Sequence, residues 1–236
     1  MRGVERAILM AAGLGTRMRP LTERLPKPLA TVRGRALIET VLAALWARGV
    51  AEVAIVTGHL GEQLRPLAAR EPRVRLIENP DYARKNNLSS LAVAAEFLEA
   101  GDCFVCEADL FVADERLLCR AFTQSGYLGK FVAGWSDDWL FETDGAGAIR
   151  RIGKGGRDSF NMAGISFFRQ ADGARLARAI RQAAADPAND SLFWDEVTDA
   201  LVQRGELELK VYPVEARAIA ECDSLADLRR LDANDD

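Results

Sequence analysis

The sequence predicts an α/β protein: a Rossmann-like, mostly parallel sheet flanked by helices, with a small antiparallel extension at roughly residues 130–170. Three observations carry that prediction. Strand-like apolar runs at Ala7–Met10, Val53–Val56 and Val74–Ile77 alternate with helical spacing at Ala36–Arg48 and, more weakly, at Leu60–Arg70. The first of these runs breaks into a long loop rich in glycine, arginine and proline instead of a tight turn. After Lys130 the alternation weakens, and glycines 145, 147, 153, 155 and 156 punctuate short β-like runs in the manner of hairpins. A length of 236 residues fits a single domain, 1–236, and 49% apolar content is ample for its core.

Ala7–Met10 is too short for a helix and is bounded by Gly13 and Gly15, which suits a buried first strand. In the stretch that follows, GLGTRMRPLTERLPKP, the two glycines let backbone N–H groups approach an anion closely. Arg17, Arg19 and Lys27 place charge where a polyphosphate would lie, and Pro20, Pro26 and Pro28 keep the loop from becoming helix. A dinucleotide fingerprint would need glycine or alanine where Met18 stands, and no Gly-Lys-Ser/Thr opens a P-loop helix here.

Further along, Gly49 closes the helix Ala36–Arg48, and the strands Val53–Val56 and Val74–Ile77 continue a parallel sheet whose ligands belong beyond its carboxyl ends. His59, the sole histidine, follows such an end; with no second histidine beside it, it reads as a loop residue. Asn79–Leu91 turns at Asn79-Pro80 into a helix through Phe97, for which Asn87 suits the N-cap. Asp102–Phe111 is an apolar strand ending in Glu107 and Asp109, two residues apart and so on one face. Magnesium favours carboxylate oxygens shared with substrate phosphates, which makes Asp109 the first candidate ligand for Mg²⁺. Four short strands are expected at Phe131–Trp135, Trp139–Thr143, Ala148–Ile152 and Met162–Phe168, then helices at Arg175–Ala185 and Phe193–Arg204. A strand at Leu207–Tyr212 and a helix at Ser224–Leu231, capped by Ser224, complete the chain.

Net charge of −4 and a pI near 5.3 argue against nucleic acid or an anionic membrane as partner. No apolar run reaches the length of a membrane span and the N-terminus lacks a signal-peptide pattern, so a soluble cytoplasmic protein is expected, with no membrane insertion. Nothing in the composition signals an oligomeric state. Cys103 and Cys106 form a C-x-x-C, but residues three apart on a strand face opposite ways; Cys119 and Cys222 read as small core residues.

The loop GLGTRMRPLTERLPKP resembles the signature of nucleotidyltransferases that couple a nucleoside triphosphate to a phosphorylated small molecule. Asn86-Asn87-Leu88-Ser89-Ser90-Leu91 resembles the NN-x-x-SL segment of bacterial phosphocholine cytidylyltransferases, and Glu221-Cys222-Asp223-Ser224 resembles their E-x-D-S segment. The resemblance covers almost the whole chain. It implies that Ala11, Ala12, Gly13, Gly15, Thr16, Arg17 and Asn87 bind CTP, that Asp223 joins Asp109 on the metal, and that Arg17 and Lys27 neutralise phosphate charge in catalysis. The roles of Glu107 and Glu221 stay open.

The acceptor end is read from WSDDWLFE and SLFWDE, which hold three of the four tryptophans together with several acids. A quaternary ammonium has no N–H to donate and is held best by aromatic faces with a carboxylate near. Trp139 and Trp194 stand where the resembling enzymes have tryptophans, so Trp135, Asp138, Trp139, Trp194 and Asp195 form the expected acceptor site. The resemblance implies CMP transfer from CTP to phosphocholine, giving CDP-choline and pyrophosphate. Alternatives are 2-aminoethylphosphonate or phosphoethanolamine as acceptor, then a sugar 1-phosphate; a catalytically silent regulator would not need both Asp109 and Asp223.

Overall fold

The structure is a computed structural model and describes residues 6–233; the reading of the extreme N-terminus lies outside them. β1 (Arg6–Ala11) leads into three single 3₁₀ turns spanning Thr16–Leu29, then a short ribbon of β2 (Thr31–Val32) and β3 (Arg35–Ala36), and α1 (Leu37–Arg48). Gly49, at φ 90°, ends α1 in the left-handed conformation that a side chain would oppose. β4 (Glu52–Thr57), α2 (Arg65–Arg70), β5 (Val74–Glu78), α3 (Asn87–Val93), α4 (Ala95–Ala100), β6 (Cys103–Glu107) and β7 (Leu110–Val112) follow. Then come β8 (Gly126–Thr143), β9 (Ile149–Phe168), α5 (Gln170–Ala184), α6 (Trp194–Gln203), β10 (Lys210–Pro213), β11 (Ile219–Glu221) and α7 (Leu225–Ala233).

Seven strands make the main sheet in the order β10-β8-β9-β6-β1-β4-β5, and only β9 runs against the others. Alternation along the central strands splits the core in two. Leu9, Val53 and Ile55 face α1 and α2, whereas Ile8, Met10, Ala54 and Val56 face the side covered by α3, α4, α5 and α6. The chain moves outward from β1 to β4 and β5, then returns to lay β6 on the other side of β1. That reversal opens a crevice at the carboxyl ends of β1 and β6, where open α/β sheets bind ligands.

A third, smaller core of Met18, Ala30, Val32, Leu37, Phe111 and Cys222 lies under the pair β7–β11. This antiparallel pair matches Glu221 with Leu110 and Ile219 with Val112, and the Cys222 N–H continues it by donating to the Asp109 carbonyl at 3.1 Å.

Several expectations change in detail. The four short strands after Lys130 are two long ones, because Gly153, Gly155 and Gly156 lie inside β9 and shift its register against β8 without ending it. The ribbon bends enough for Leu140 and Phe141 to pair a second time, with Asn161 and Phe160. Asp109 lies in the kink between β6 and β7, not on one continuous strand with Glu107. The helix expected through Phe97 breaks at Ala94. Its N-cap is Asn86, whose side-chain oxygen accepts from the Asn87 N–H, and Asn87 is the first helical residue. Cys103 and Cys106 are buried on opposite faces of β6, as the alternation requires, but Cys119 is exposed instead of belonging to the core. Among the described residues no helix is long and apolar enough to cross a membrane.

Candidate active site

The crevice beyond β1 and β6 holds a cavity of about 360 Å³ lined by Ala11, Ala12, Gly13, Gly15, Thr16, Arg17, Lys27 and Asn87, along with Glu107, Asp109 and Asp223. The loop after β1 is held open from several sides. Gly15 adopts φ 60°, and a Cβ there would sit 2.9 Å from the Thr22 methyl and 3.2 Å from the Lys27 side chain. Thr22 Oγ1 donates to the Gly15 carbonyl at 2.8 Å. His59 Nε2 lies 2.7 Å from the Thr22 carbonyl; since a carbonyl can only accept, this nitrogen carries the hydrogen. The histidine thus ties the loop to the end of β4.

Two acids separated by about half of the chain meet because β7 pairs with β11. Lys27 Nζ bridges them, 2.6 Å from Asp109 Oδ2 and 2.6 Å from Asp223 Oδ1, and Arg17 adds a contact at 2.8 Å to the same Asp223 oxygen. Burial alone would lower the Lys27 pKa, but the two carboxylates outweigh it and hold the ammonium well above its ordinary value. Asp223 shows the converse: burial opposes its charge, and Lys27 still holds its carboxyl below the usual range. Carboxylate oxygens of Asp109, Glu221 and Asp223 lie within 4.8 Å of one another, close enough to share one cation. Asp109 Oδ1 is buried and has no hydrogen-bond partner among the described residues, so one ligand position at this cluster is unsatisfied by protein.

A second cavity, also of about 360 Å³, adjoins the first and shares Arg17, Asn87, Glu107 and Asp223 with it. Its far wall comes from the β8–β9 ribbon, through Asp137, Asp138, Trp139 and Lys154, and from the start of α6, through Phe193 and Asp195. Asp195 is 4% exposed and accepts from the Tyr127 hydroxyl at 3.1 Å; burial pushes its carboxyl up to about 7. No arginine or lysine among the described residues forms an ion pair with it. Burial, with Asp109 next in effect, also raises Glu107 well above the ordinary carboxylate range.

The expected aromatic cage is rearranged. Trp194 is 3% exposed and stacks on Tyr127 with ring centroids 5.8 Å apart, so it serves the core. Phe193 and not Trp194 lines the second cavity, meeting Trp139 edge-on at 5.4 Å. Phe193 caps α6 and Trp194 opens it, and adjacent residues at a helix start point in different directions. Trp135 is 61% exposed, donates Nε1–H to Asp137 at 2.7 Å, and lies outside both cavities.

The sequence pattern of the MobA-like NTP transferase domain matches residues 7–156. This chain belongs to that family. As an NTP transferase it is similar, at 46% identity over 96% of its length and 91% of the relative's, to a 2-aminoethylphosphonate cytidylyltransferase of Lancefieldella rimae. It is 30% identical to a choline-phosphate cytidylyltransferase of Streptococcus pneumoniae, with 96% of each chain covered. The solved CTP:phosphocholine cytidylyltransferase of Streptococcus pneumoniae superposes with a TM-score of 0.88 at 30% identity, covering 98% of both chains.

In this NTP transferase the first cavity also takes in Asn86, the first asparagine of the NN-x-x-SL segment, and Tyr82 and Lys85, which sequence reasoning passed over although they lie in the segment singled out for Asn87. Lys154 was missed for another reason. It sits among glycines that read as loop, and only the pairing of β9 with β8 sets it opposite Trp139.

Proposed function

We propose that the protein transfers CMP from CTP to a small phosphorus acid bearing a primary amine, most specifically 2-aminoethylphosphonate, with release of pyrophosphate. Asp195 carries this reading: a carboxyl buried on the acceptor cavity, without a cationic partner among the described residues, is costly until a cation joins it. The acceptor's ammonium is that cation. A primary ammonium donates three hydrogen bonds, and Asp137, Asp138 and Asp195 offer acceptors along the same wall. Phosphocholine, the acceptor expected from sequence, calls for aromatic faces, and with Trp194 in the core only the Trp139–Phe193 corner supplies them on this cavity among the described residues. The relative at 46% identity acts on 2-aminoethylphosphonate according to its name, which supports the same choice.

In this mechanism the first cavity holds CTP, with Ala11, Ala12, Gly13 and Asn87 around the base and Gly15, Thr16 and Arg17 near the phosphates. A phosphonate oxygen attacks the α-phosphorus in line; the new P–O bond forms as the bond to the β-phosphate oxygen breaks, and pyrophosphate leaves with that electron pair. The acceptor is already ionised near neutral pH, so the protein needs no nucleophile of its own. Arg17 and Lys27 offset charge growing on the phosphates, and positioning does the rest. Asp109 and Asp223, with Glu221 beside them, suit Mg²⁺, and the unsatisfied Asp109 Oδ1 fits an oxygen-ligated cation. Bound there, Mg²⁺ would neutralise phosphate charge. A cytoplasmic location, where CTP is available, belongs to this reading.

Pyrophosphate release from CTP with 2-aminoethylphosphonate, phosphoethanolamine, phosphocholine and glucose 1-phosphate tests the proposal. The highest kcat/KM is expected with 2-aminoethylphosphonate. Preference for phosphocholine or for the sugar would overturn it.

A further inference from the structure

The pairing of β8 with β9 sets Lys154 directly opposite Trp139 on the ribbon. Its ammonium lies 5.7 Å from the Trp139 ring centroid and 5.6 Å from that of Phe193, over the corner the two rings make. All three side chains line the acceptor cavity. Although Asp137, Asp138 and Asp195 share that wall, Lys154 forms no ion pair with them or with any other described residue. Its placement therefore answers to the rings and not to the acids.

We infer that Lys154 determines acceptor specificity by filling the one aromatic corner of the cavity with the protein's own cation, so that a quaternary ammonium is refused and a primary ammonium is accepted. A trimethylammonium group cannot donate hydrogen bonds and depends on aromatic faces, the place Lys154 already holds; bringing it there would also set two cations side by side. A primary ammonium is under no such constraint. It is stabilised by donating to carboxylates elsewhere on the wall, where Lys154 does not compete. Exclusion of the wrong substrate by an occupying charge is a recognised route to specificity, separate from better contacts to the right one.

The inference rests on the acceptor reading above, but its test is read separately. Initial rates with CTP are measured for wild type, Lys154→Met and Lys154→Arg, each with 2-aminoethylphosphonate and with phosphocholine. The acceptor preference of wild type judges the function; the change in the ratio of the two kcat/KM values on substitution judges Lys154. In Lys154→Met, which keeps the stem and removes the charge, the phosphocholine to 2-aminoethylphosphonate ratio is expected to rise roughly two- to thirtyfold, the range that cation–π contacts span. The gain should appear as a lower KM for phosphocholine, a split that general loosening of the ribbon would not produce. Lys154→Arg keeps a cation over the rings and is expected to retain the wild-type ratio. An unchanged ratio in Lys154→Met would overturn the inference. So would a parallel fall with both acceptors, which would mean that Lys154 contacts the phosphorus group they share.

Discussion

The proposed chemistry turns on three residues, Lys27, Asp109 and Asp223, joined by contacts of 2.6 Å from one ammonium to two carboxylates. Each is half-buried, so the cluster is stable only while its charges compensate one another. Asp109→Asn and Asp223→Asn remove one negative charge and one cation ligand without changing shape. Turnover should fall at least tenfold in each while the circular dichroism stays that of wild type, given that charge-assisted contacts are worth about 1.5–3 kcal/mol. Turnover within about threefold of wild type in either variant would remove that acid from the metal site. Both aspartates could be named from short local patterns. What no local pattern could show is that Lys27 bridges them, since that contact spans 196 residues in sequence on one side and 82 on the other.

At the level of elements, the site depends on β7 and β11, two three-residue strands that would attract no attention by length. β7 is steadied from the main sheet by Gly164 of β9, whose φ of 74° and lack of a side chain leave room for Leu110. An added Cβ would lie 2.8 and 3.0 Å from the two Leu110 methyls, next to Asp109. The left-handed conformation alone should cost Gly164→Ala about 1–2 kcal/mol. For a chain of this size that lowers Tm by roughly 2–8 °C, and turnover should fall with it as Leu110 shifts. An unchanged Tm would mean that the ribbon absorbs the methyl elsewhere. Elements of this kind explain where sequence reasoning stopped. The strands β1 and β4 announce themselves by apolar runs fit for burial on both faces, and edge strand β5 by a shorter run broken at Arg75, whereas the bends of β9 use glycines that in isolation signify turns. The aromatic corner suffered likewise: Phe193 and Trp194 are neighbours of equal promise in sequence, and the onset of α6 alone determines which faces the cavity.

Across the whole molecule, the mostly parallel sheet and the placing of ligands beyond its carboxyl ends were legible from the alternation of strand and helix, whereas the order of the strands is seen only in the structure. The segment that closes the site contributes no strand to that sheet, and in the sequence it was marked only by the resemblance of Glu221-Cys222-Asp223-Ser224. All seven strands are complete by Pro213. The turn that follows carries Arg217, whose side chain is 91% exposed, and only then do β11, Asp223 and α7 appear. A chain stopped after Arg217 is expected to keep the sheet, seen by circular dichroism, and to have no turnover; measurable CMP transfer by it would show that the second acid is dispensable. The same arrangement sets the order of events on the ribosome. Because synthesis runs from the amino end, the nucleotide loop and the whole sheet emerge first, and Asp109 waits for a partner more than a hundred residues away. Until that stretch arrives the nascent chain has its sheet but lacks the second acid of the proposed catalytic centre, which reaches Asp109 only after every strand of that sheet has been made.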